Sequence, residues 1–333
     1  MKKQFLQSFE EIISTKNLLA AWEEFVVGKR KRVNTQIFAR CLMDNILQLH
    51  TDLNNETYQH GGYESFYVFD PKPRHIHKAS VRDRLLHHAI HRVLYSFFDR
   101  TFDSNSFSCR AGKGTHSALK QFNTMVAKVS SNRTRTCWVL KGDIRKFFDN
   151  IDHTVLIEIL RFYISDIKFL SLIQNIINSY SSEQGVGLPL GNLTSQLFVN
   201  VYMNEFDQFV KHKLKVKHYV RYADDFVLFS QSRDELVDLI KPMRNFLDER
   251  LQLTLHPQKT YLKTVASGID FLGWVHFPYH RVLRTTTKRR MFRRLCEHST
   301  KATFESYKGL LSHGNAHRLY SQLASDYWIL KSD

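Results

Sequence analysis

Apolar residues recur at helical spacing over residues 8–27 (Phe9, Ile12, Ile13, Leu18, Leu19, Trp22, Phe25, Val26), which predicts a helical arm. The arm runs into Gly28-Lys29-Arg30-Lys31-Arg32, a basic knot suited to phosphate contact. A second helix is expected at about 35–53. Residues 63–76 alternate aromatic and polar side chains around Pro71 and Pro73, which suits an edge hairpin with Lys72 and Arg74 at its turn. A long helix follows at 80–100, with Leu86, Ile90, Val93, Leu94 and Phe97 on its apolar side. Residues 108–116 form a glycine-containing basic loop without P-loop spacing.

The second half of the chain mixes both periods. TCWVLKGD at 136–143 reads as a short strand ending in an acid, and helices are expected at 153–164, 166–180 and 192–213. Between them lies a glycine- and proline-bearing loop at 182–190. In HYVRYADDFVLFS at 218–230, two runs rich in aromatic and β-branched residues flank Ala223-Asp224-Asp225, a tight hairpin with adjacent carboxylates at its tip. A helix at 233–251 contains Pro242, which should kink it or divide it. Short strands are expected around Thr254 and over 269–277, and from Arg284 the chain reads as helical and very basic at first. No internal repeat or long polar linker separates independent domains.

Composition narrows the function. The chain of 333 residues is 43% hydrophobic with a formal charge of +16, so a folded body with a substantial core carries the basic excess. A polyanionic partner, most simply nucleic acid, is expected. Cys41, Cys109, Cys137 and Cys296 lack paired spacing, which argues against a zinc site and a disulfide framework and favours a reducing cytoplasm. No apolar run reaches membrane-spanning length and no secretory leader is expected, so no membrane partner is anticipated. His87, His88 and His91, in one helix without nearby acidic or Cys ligands, read as core or surface residues.

The aspartates at the hairpin tip could be turn residues and nothing more. Asp143, closing a buried-looking strand, changes the balance: carboxylates on neighbouring strand ends are an ordinary way to hold two Mg²⁺ ions, with Mn²⁺ as a substitute. Paired metals of this kind activate a hydroxyl and stabilise a leaving pyrophosphate.

The residues resemble a known family. KGDIRKFFDNIDH (141–153), GLPLGNLTSQLF (187–198), RYADDFVLF (221–229), LTLHPQKT (253–260) and GIDFLGW (268–274) look like motifs A to E of a reverse transcriptase palm, in order. Residues 64–118 resemble the fingers of group II intron-like enzymes. The resemblance implies an α+β right-hand polymerase fold, with fingers, a palm built on an antiparallel sheet, and a helical thumb. The corresponding divisions are a helical N-terminal extension at 1–60, fingers at 61–135, palm at 136–280 with part of the fingers inserted, and thumb at 281–333.

It also implies roles. Asp143 and Asp224 would bind metal directly, with Asp225 beside them and the Ile144 carbonyl as a further ligand. Lys72 and Arg74 would grip the incoming triphosphate. Phe148 would be the steric gate against a ribose 2′-hydroxyl, making DNA the product, while one of Phe147 and Phe148 is expected in the core. Lys259 matches a lysine proposed as general acid toward pyrophosphate. Phe271, Leu272 and Gly273 look like the primer grip, and Arg110 with Lys288, Arg289, Arg290, Arg293 and Arg294 would contact the template-primer duplex.

Motif B departs from the common pattern: Leu190-Gly191 and Ser195-Gln196 stand where most reverse transcriptases have Gln-Gly and Ser-Pro. This resembles the enzymes of diversity-generating retroelements, in which misincorporation occurs opposite template adenines. Leu190, Gly191 and Gln196 would then line the nucleotide site. The implied partners are template RNA, an RNA/DNA hybrid, deoxynucleoside triphosphates and a small basic oligomeric accessory protein, in a prokaryotic or phage-infected cytosol. A retron-type or phage-defence enzyme copying a dedicated non-coding RNA shares the pattern, and a non-catalytic maturase-like RNA-binding scaffold is the reading from another class.

Overall fold

A computed structural model of the chain describes residues 4–69 and 73–332, so Lys72 lies outside the described residues. The first elements are α1 (Phe9–Ile13), α2 (Thr15–Val26), α3 (Val33–Arg40), α4 (Leu42–Asn54), β1 (Tyr63–Val68), β2 (Arg74–Ala79) and α5 (Val81–Phe98). There follow α6 (Thr115–Val129), β3 (Trp138–Asp143), α7 (His153–Tyr163), α8 (Ile167–Asn178), α9 (Leu193–Gln208), β4 (Tyr219–Tyr222), β5 (Asp225–Ser230) and α10 (Arg233–Leu251). The chain closes with β6 (Tyr261–Thr264), β7 (Ile269–Phe271), β8 (Trp274–His276), β9 (Arg281–Leu283), α11 (Thr285–Glu297), α12 (Lys301–Leu311) and α13 (His317–Ser332). Helices and antiparallel sheets therefore coexist, as the expected α+β class requires.

Two compact units divide the chain. The first gathers residues 1–104, 144–214 and 243–255. Its helices bury Phe9, Ile12, Leu18, Trp22 and Phe25 from the N-terminal arm. That arm is two helices rather than one, because the Ser14 side chain accepts from Asn17 N–H and caps α2. The helix expected at 35–53 is likewise divided at Cys41. Asp83, fully buried in the first turn of α5, accepts from Tyr58 Oη at 2.8 Å and from Gly61 N–H at 3.1 Å, joining the segment before β1 to the helix. α9 is buried on nearly every side and packs on α5 and α7, which marks it as the unit's central helix.

Among the described residues β1 and β2 pair only with each other. The hairpin is tied to the loop before α9 by His77 N–H donating to the Leu190 carbonyl at 2.9 Å. Gly191 adopts φ +112°, and a Cβ there would lie 2.9 Å from Ile76 Cγ2, so the close approach requires glycine.

The second unit holds residues 105–143, 215–242 and 256–333. Its four-stranded antiparallel sheet has the order β4-β5-β3-β6, and a three-stranded sheet has the order β7-β8-β9. One cluster runs through α6 (Leu119, Phe122), the first sheet (Val139, Val227, Phe229), the second (Phe271, Trp274) and the C-terminal helices (Met291, Leu323). The strand expected at Thr254 is absent: that segment makes one isolated bridge, Ile144 to Leu255, and the strand beside β3 begins at Tyr261. α10 passes through Pro242 as a single helix, so the proline does not divide it. Its apolar stripe, Leu236, Met243, Leu247 and Leu251, stays buried on both sides of the proline, outweighing one missing N–H. Among the described residues all four cysteines are free, and no helix is long and apolar enough to cross a membrane.

Candidate active site

Alternating strand register assembles the acidic cluster. Asp143 is the last residue of β3 and stands opposite Asp225, the first residue of β5. Tyr222 pairs with Asp225, which leaves Ala223-Asp224 as the two-residue turn. Ala223 takes φ +54°, a left-handed conformation that costs a side-chain-bearing residue about 1 kcal/mol. The fully buried Arg221 guanidinium donates to the Ala223 carbonyl at 3.0 Å and holds that turn. Asp143, Asp224 and Asp225 thus meet at one end of the sheet, the three residues the sequence singles out.

Two lysines from the same unit meet this cluster. Lys259 Nζ lies 2.7 Å from Asp143 Oδ1. Lys141 Nζ lies 3.1 Å from Asp225 Oδ2 and donates to the Asp270 carbonyl at 2.7 Å. Burial pushes the Asp225 carboxyl up to about 7, Lys141 pulls it down, and the neighbouring Asp224 and Asp143 carboxylates add to the rise. Asp225 Oδ1 is buried and has no hydrogen-bond partner among the described residues. Between these charges Gly142 presents only hydrogen to the face covered by the Phe226 ring.

Among the described residues, no group of three or more His, Cys, Asp or Glu side chains is arranged to hold a metal ion. Ammonium groups meet the carboxylates in this conformation. The donor chemistry still suits a hard divalent cation, because Asp143 and Asp224 offer oxygen alone and the partly exposed Lys259 can swing away.

The described residues expected at the nucleotide fall in the first unit. Arg74 is exposed at the start of β2. Phe147 is buried whereas Phe148 is half-buried, its ring edge-on to Phe147 at 5.6 Å, which settles which of the pair is core. Leu188 N–H donates to the Phe148 carbonyl at 2.8 Å, so the 187–191 loop runs alongside it. Leu190 and Gln196 are half-buried and Gly191 is exposed. Ile144 is buried and belongs to this first unit, one residue beyond Asp143.

The expected primer and template contacts lie in the second unit. Leu272 and Gly273 take φ +50° and +87° and form the tight turn between β7 and β8. Phe271 is fully buried and stacks on Phe122 at 5.5 Å, so its ring belongs to the core and only its backbone lies at the turn. Arg110 donates to the Ser106 carbonyl at 3.0 Å. On α11 Lys288, Arg289 and Arg293 are exposed, and Arg290 and Arg294 are half-buried on the flanks of the Met291–Leu295 stripe. Sequence reasoning passed over Lys141 and the Asp270–Arg284 pair. A lysine inside an otherwise apolar strand was the available sign for the first.

Comparison with known proteins identifies the family. Residues 69–276 match the model of the family described as reverse transcriptase (RNA-dependent DNA polymerase). Protein YkfC of Escherichia coli K12 is 26% identical over 247 residues, covering 63% of this chain and 63% of that protein. The group II intron-encoded protein LtrA of Lactococcus lactis is 24% identical over 302 residues, covering 69% and 49% respectively. The Arabidopsis thaliana nuclear intron maturase 1 is 25% identical over 304 residues, 62% of this chain and 42% of that protein. The chain therefore spans between 42% and 63% of the length of these relatives. With the family match extending over more than half of its residues and the acidic hairpin inside the matched range, the chain belongs to the reverse transcriptase family.

Proposed function

We infer that the protein is an RNA-directed DNA polymerase that makes cDNA on an RNA template, within a diversity-generating retroelement and with loose discrimination opposite template adenines. The observation that carries the polymerase reading is the cross-strand pairing of Asp143 with Asp225, with Asp224 in the intervening turn, in a chain of this family. Asp143 and Asp224 would hold two Mg²⁺ ions, with Asp225 and the Ile144 carbonyl alongside; when bound, such ions lower the barrier to attack by a primer hydroxyl and stabilise charge on pyrophosphate. The remaining roles fall to the protein itself. Arg74 and Lys72 neutralise the triphosphate, and Phe148 crowds a 2′-hydroxyl. Lys259 supplies a proton to the departing oxygen. The turn at Leu272-Gly273 and the basic face of α11 hold the hybrid through its phosphates.

Leu190, Gly191 and Gln196 support the retroelement assignment. An aliphatic side chain at 190 cannot donate a hydrogen bond to the incoming sugar, so mispaired nucleotides are penalised less. A small basic accessory protein would assist, as in the resembling family. The same Ser195-Gln196 pattern also supports a defence enzyme copying a dedicated RNA. The test is primer extension on RNA with the four deoxynucleotides and Mg²⁺, with Asp224→Asn as control, followed by sequencing of the cDNA attached to copurifying RNA. Adenine-directed errors support diversification, whereas a single repeated cDNA supports the defence reading. The polymerase assignment fails if the wild type makes no DNA with its copurified RNA and partners.

A further inference from the structure

Lys141 occupies a position where the strand pattern calls for an apolar residue. It sits on β3 between Leu140 and Gly142, is 7% exposed, and shares a sheet face with Val139, a member of the unit's hydrophobic cluster. A buried ammonium is costly unless its donors are used, and two of the three are: one meets Asp225 Oδ2 at 3.1 Å and one the Asp270 carbonyl at 2.7 Å. These acceptors belong to different sheets. Asp225 opens β5 of the four-stranded sheet, whereas Asp270 is the middle residue of β7 in the three-stranded one.

The polar contacts continue past the Asp270 carbonyl to its side chain. Its carboxylate accepts from Arg284, with Nε to Oδ1 at 2.8 Å, and Arg284 N–H donates to the Gly273 carbonyl at 3.1 Å. Arg284 is the N-cap residue of α11, the helix that carries Lys288, Arg289 and Arg293. Asp225, Lys141, Asp270 and Arg284 therefore form a polar line from the acidic hairpin, across the second sheet, to the start of the basic helix. Tyr261 Oη braces it, accepting from Asp270 N–H at 3.2 Å. Apolar side chains could join two sheets without desolvating a charge, but they would fix neither the carboxylate rotamer of Asp225 nor the distance from it to the turn at Leu272-Gly273. A charged link with directional donors fixes both.

We propose that Lys141 is a positioning residue for nucleotidyl transfer: it orients Asp225 and holds the acidic hairpin at a set separation from β7 and the turn that steers the primer end. The proposal rests on the polymerase reading above. Its effect belongs in the chemical step, because the buried Lys141 ammonium is engaged by Asp225 and by the Asp270 carbonyl and acts through them. Bound substrates in the Lys141→Met variant would be held as before but aligned less well.

Single-nucleotide addition by wild type, Lys141→Met, Lys141→Arg, Asp270→Asn, Asp225→Asn and the double variant Lys141→Met/Asp225→Asn tests this, with hybrid affinity measured by fluorescence anisotropy without divalent ions. Lys141→Met is expected to lower kcat at least thirtyfold, with the KM for nucleotide and the hybrid Kd within threefold of wild type. Lys141→Arg should recover part of the rate, and Asp270→Asn, which keeps the carbonyl but weakens the Arg284 pair, should lower kcat three- to tenfold. The double variant should be no slower than Asp225→Asn alone, since Lys141 acts through Asp225. An unchanged kcat in Lys141→Met, additive effects in the double variant, or a loss carried by hybrid Kd instead of kcat overturns the proposal.

Hydrogen exchange on the free protein gives a readout that needs no polymerase activity. Lys141→Met should raise exchange together in peptides covering 223–227 and 268–273 and leave 317–331 as in wild type. Correlated loosening in a protein that makes no DNA would retain the link and sink the polymerase reading. Loosening of 223–227 alone, or uniform loosening of every peptide, would sink the link.

Discussion

Lys259 places its Nζ 2.7 Å from Asp143 Oδ1, so the carboxylate that closes β3 carries an ammonium partner from the segment expected to supply a general acid. A cation binding Asp143 through Oδ1 competes with that ammonium. The lysine side chain is 44% exposed, and ion pairs this accessible contribute up to about 1 kcal/mol. Lys259→Met should therefore tighten divalent binding by up to about fivefold while slowing extension, because the proton donor is gone. Mn²⁺ titration followed by electron paramagnetic resonance, paired with extension rates, checks both. Weaker metal binding in the variant would mean that Lys259 helps build the site instead of competing for it.

Gly142 lies between Lys141 and Asp143 and faces Phe226 across the ladder, and a Cβ there would sit inside the van der Waals envelope of the Phe226 ring. Phe226 is 1% exposed and has no room to retreat. Gly142→Ala should cost about 1–3 kcal/mol through overpacking and displace the two strands that bear the carboxylates. Urea denaturation of Gly142→Ala and of Gly142→Ala/Phe226→Leu tests the cause. The smaller side chain should restore most of the stability if the ring contact is responsible.

The legibility of this site follows from what period-2 patterning can carry. TCWVLKGD and RYADDFVLF expose their strand character and their acids, and pairing them needs only one antiparallel register. The motif order that resembles a reverse transcriptase then supplied the family. Contacts between side chains far apart in sequence were not legible: nothing at Lys141 announces the Asp270 carbonyl, 129 positions later. Boundaries failed where a polar cap competes with helical periodicity, as at Ser14, and the expected strand at Thr254 proved to be a single bridge at Leu255. Phe271 shows a subtler limit. A motif match locates the turn, but only packing reveals that this ring lies in the core while Leu272 and Gly273 form the bend.

His87 makes the first unit sensitive to acid. It is 1% exposed, and burial pushes its imidazole down to about 3, with the neighbouring His60 adding to the effect. His88 and His91 on the same helix are lowered to about 4, again mainly by burial. An unfolded chain takes up protons at the ordinary 6.5 whereas the folded chain resists, so stability is complete above that value and falls as pH drops toward 3. Between pH 7.5 and 5.0 His87 alone should account for about 2 kcal/mol. Urea midpoints at the two pH values should show this loss, and His87→Leu should shrink it. An equal loss in the variant would place the sensitivity elsewhere.

Phe148 is half-buried beside a buried Phe147, the disposition a ring needs to border a substrate while its neighbour anchors the turn. Phe148→Ala should raise ribonucleotide incorporation relative to deoxynucleotide by at least about tenfold, equivalent to about 1.4 kcal/mol of removed steric discrimination. Competition between matched ribo- and deoxynucleoside triphosphates in single-addition assays measures the ratio. An unchanged ratio would assign Phe148 to packing.

Leu190 offers the sharpest test of the retroelement assignment, because its backbone is held independently of its side chain. The Leu190 carbonyl accepts from His77 N–H at 2.9 Å, and the adjacent Gly191 is fitted against Ile76, so Leu190→Gln changes a half-buried side chain on a fixed support. A glutamine there could donate to the sugar of a correctly placed nucleotide, adding an interaction that a mispaired, displaced sugar would miss. Discrimination from one such hydrogen bond is about 0.5–1.5 kcal/mol, a severalfold change in error rate. Sequencing of cDNA made on adenine-rich templates should show errors at adenine falling severalfold in the variant, with errors at the other template bases changing less. An identical adenine error spectrum in Leu190→Gln would remove the sugar contact as the source of infidelity, leaving Gln196 as the next residue to exchange.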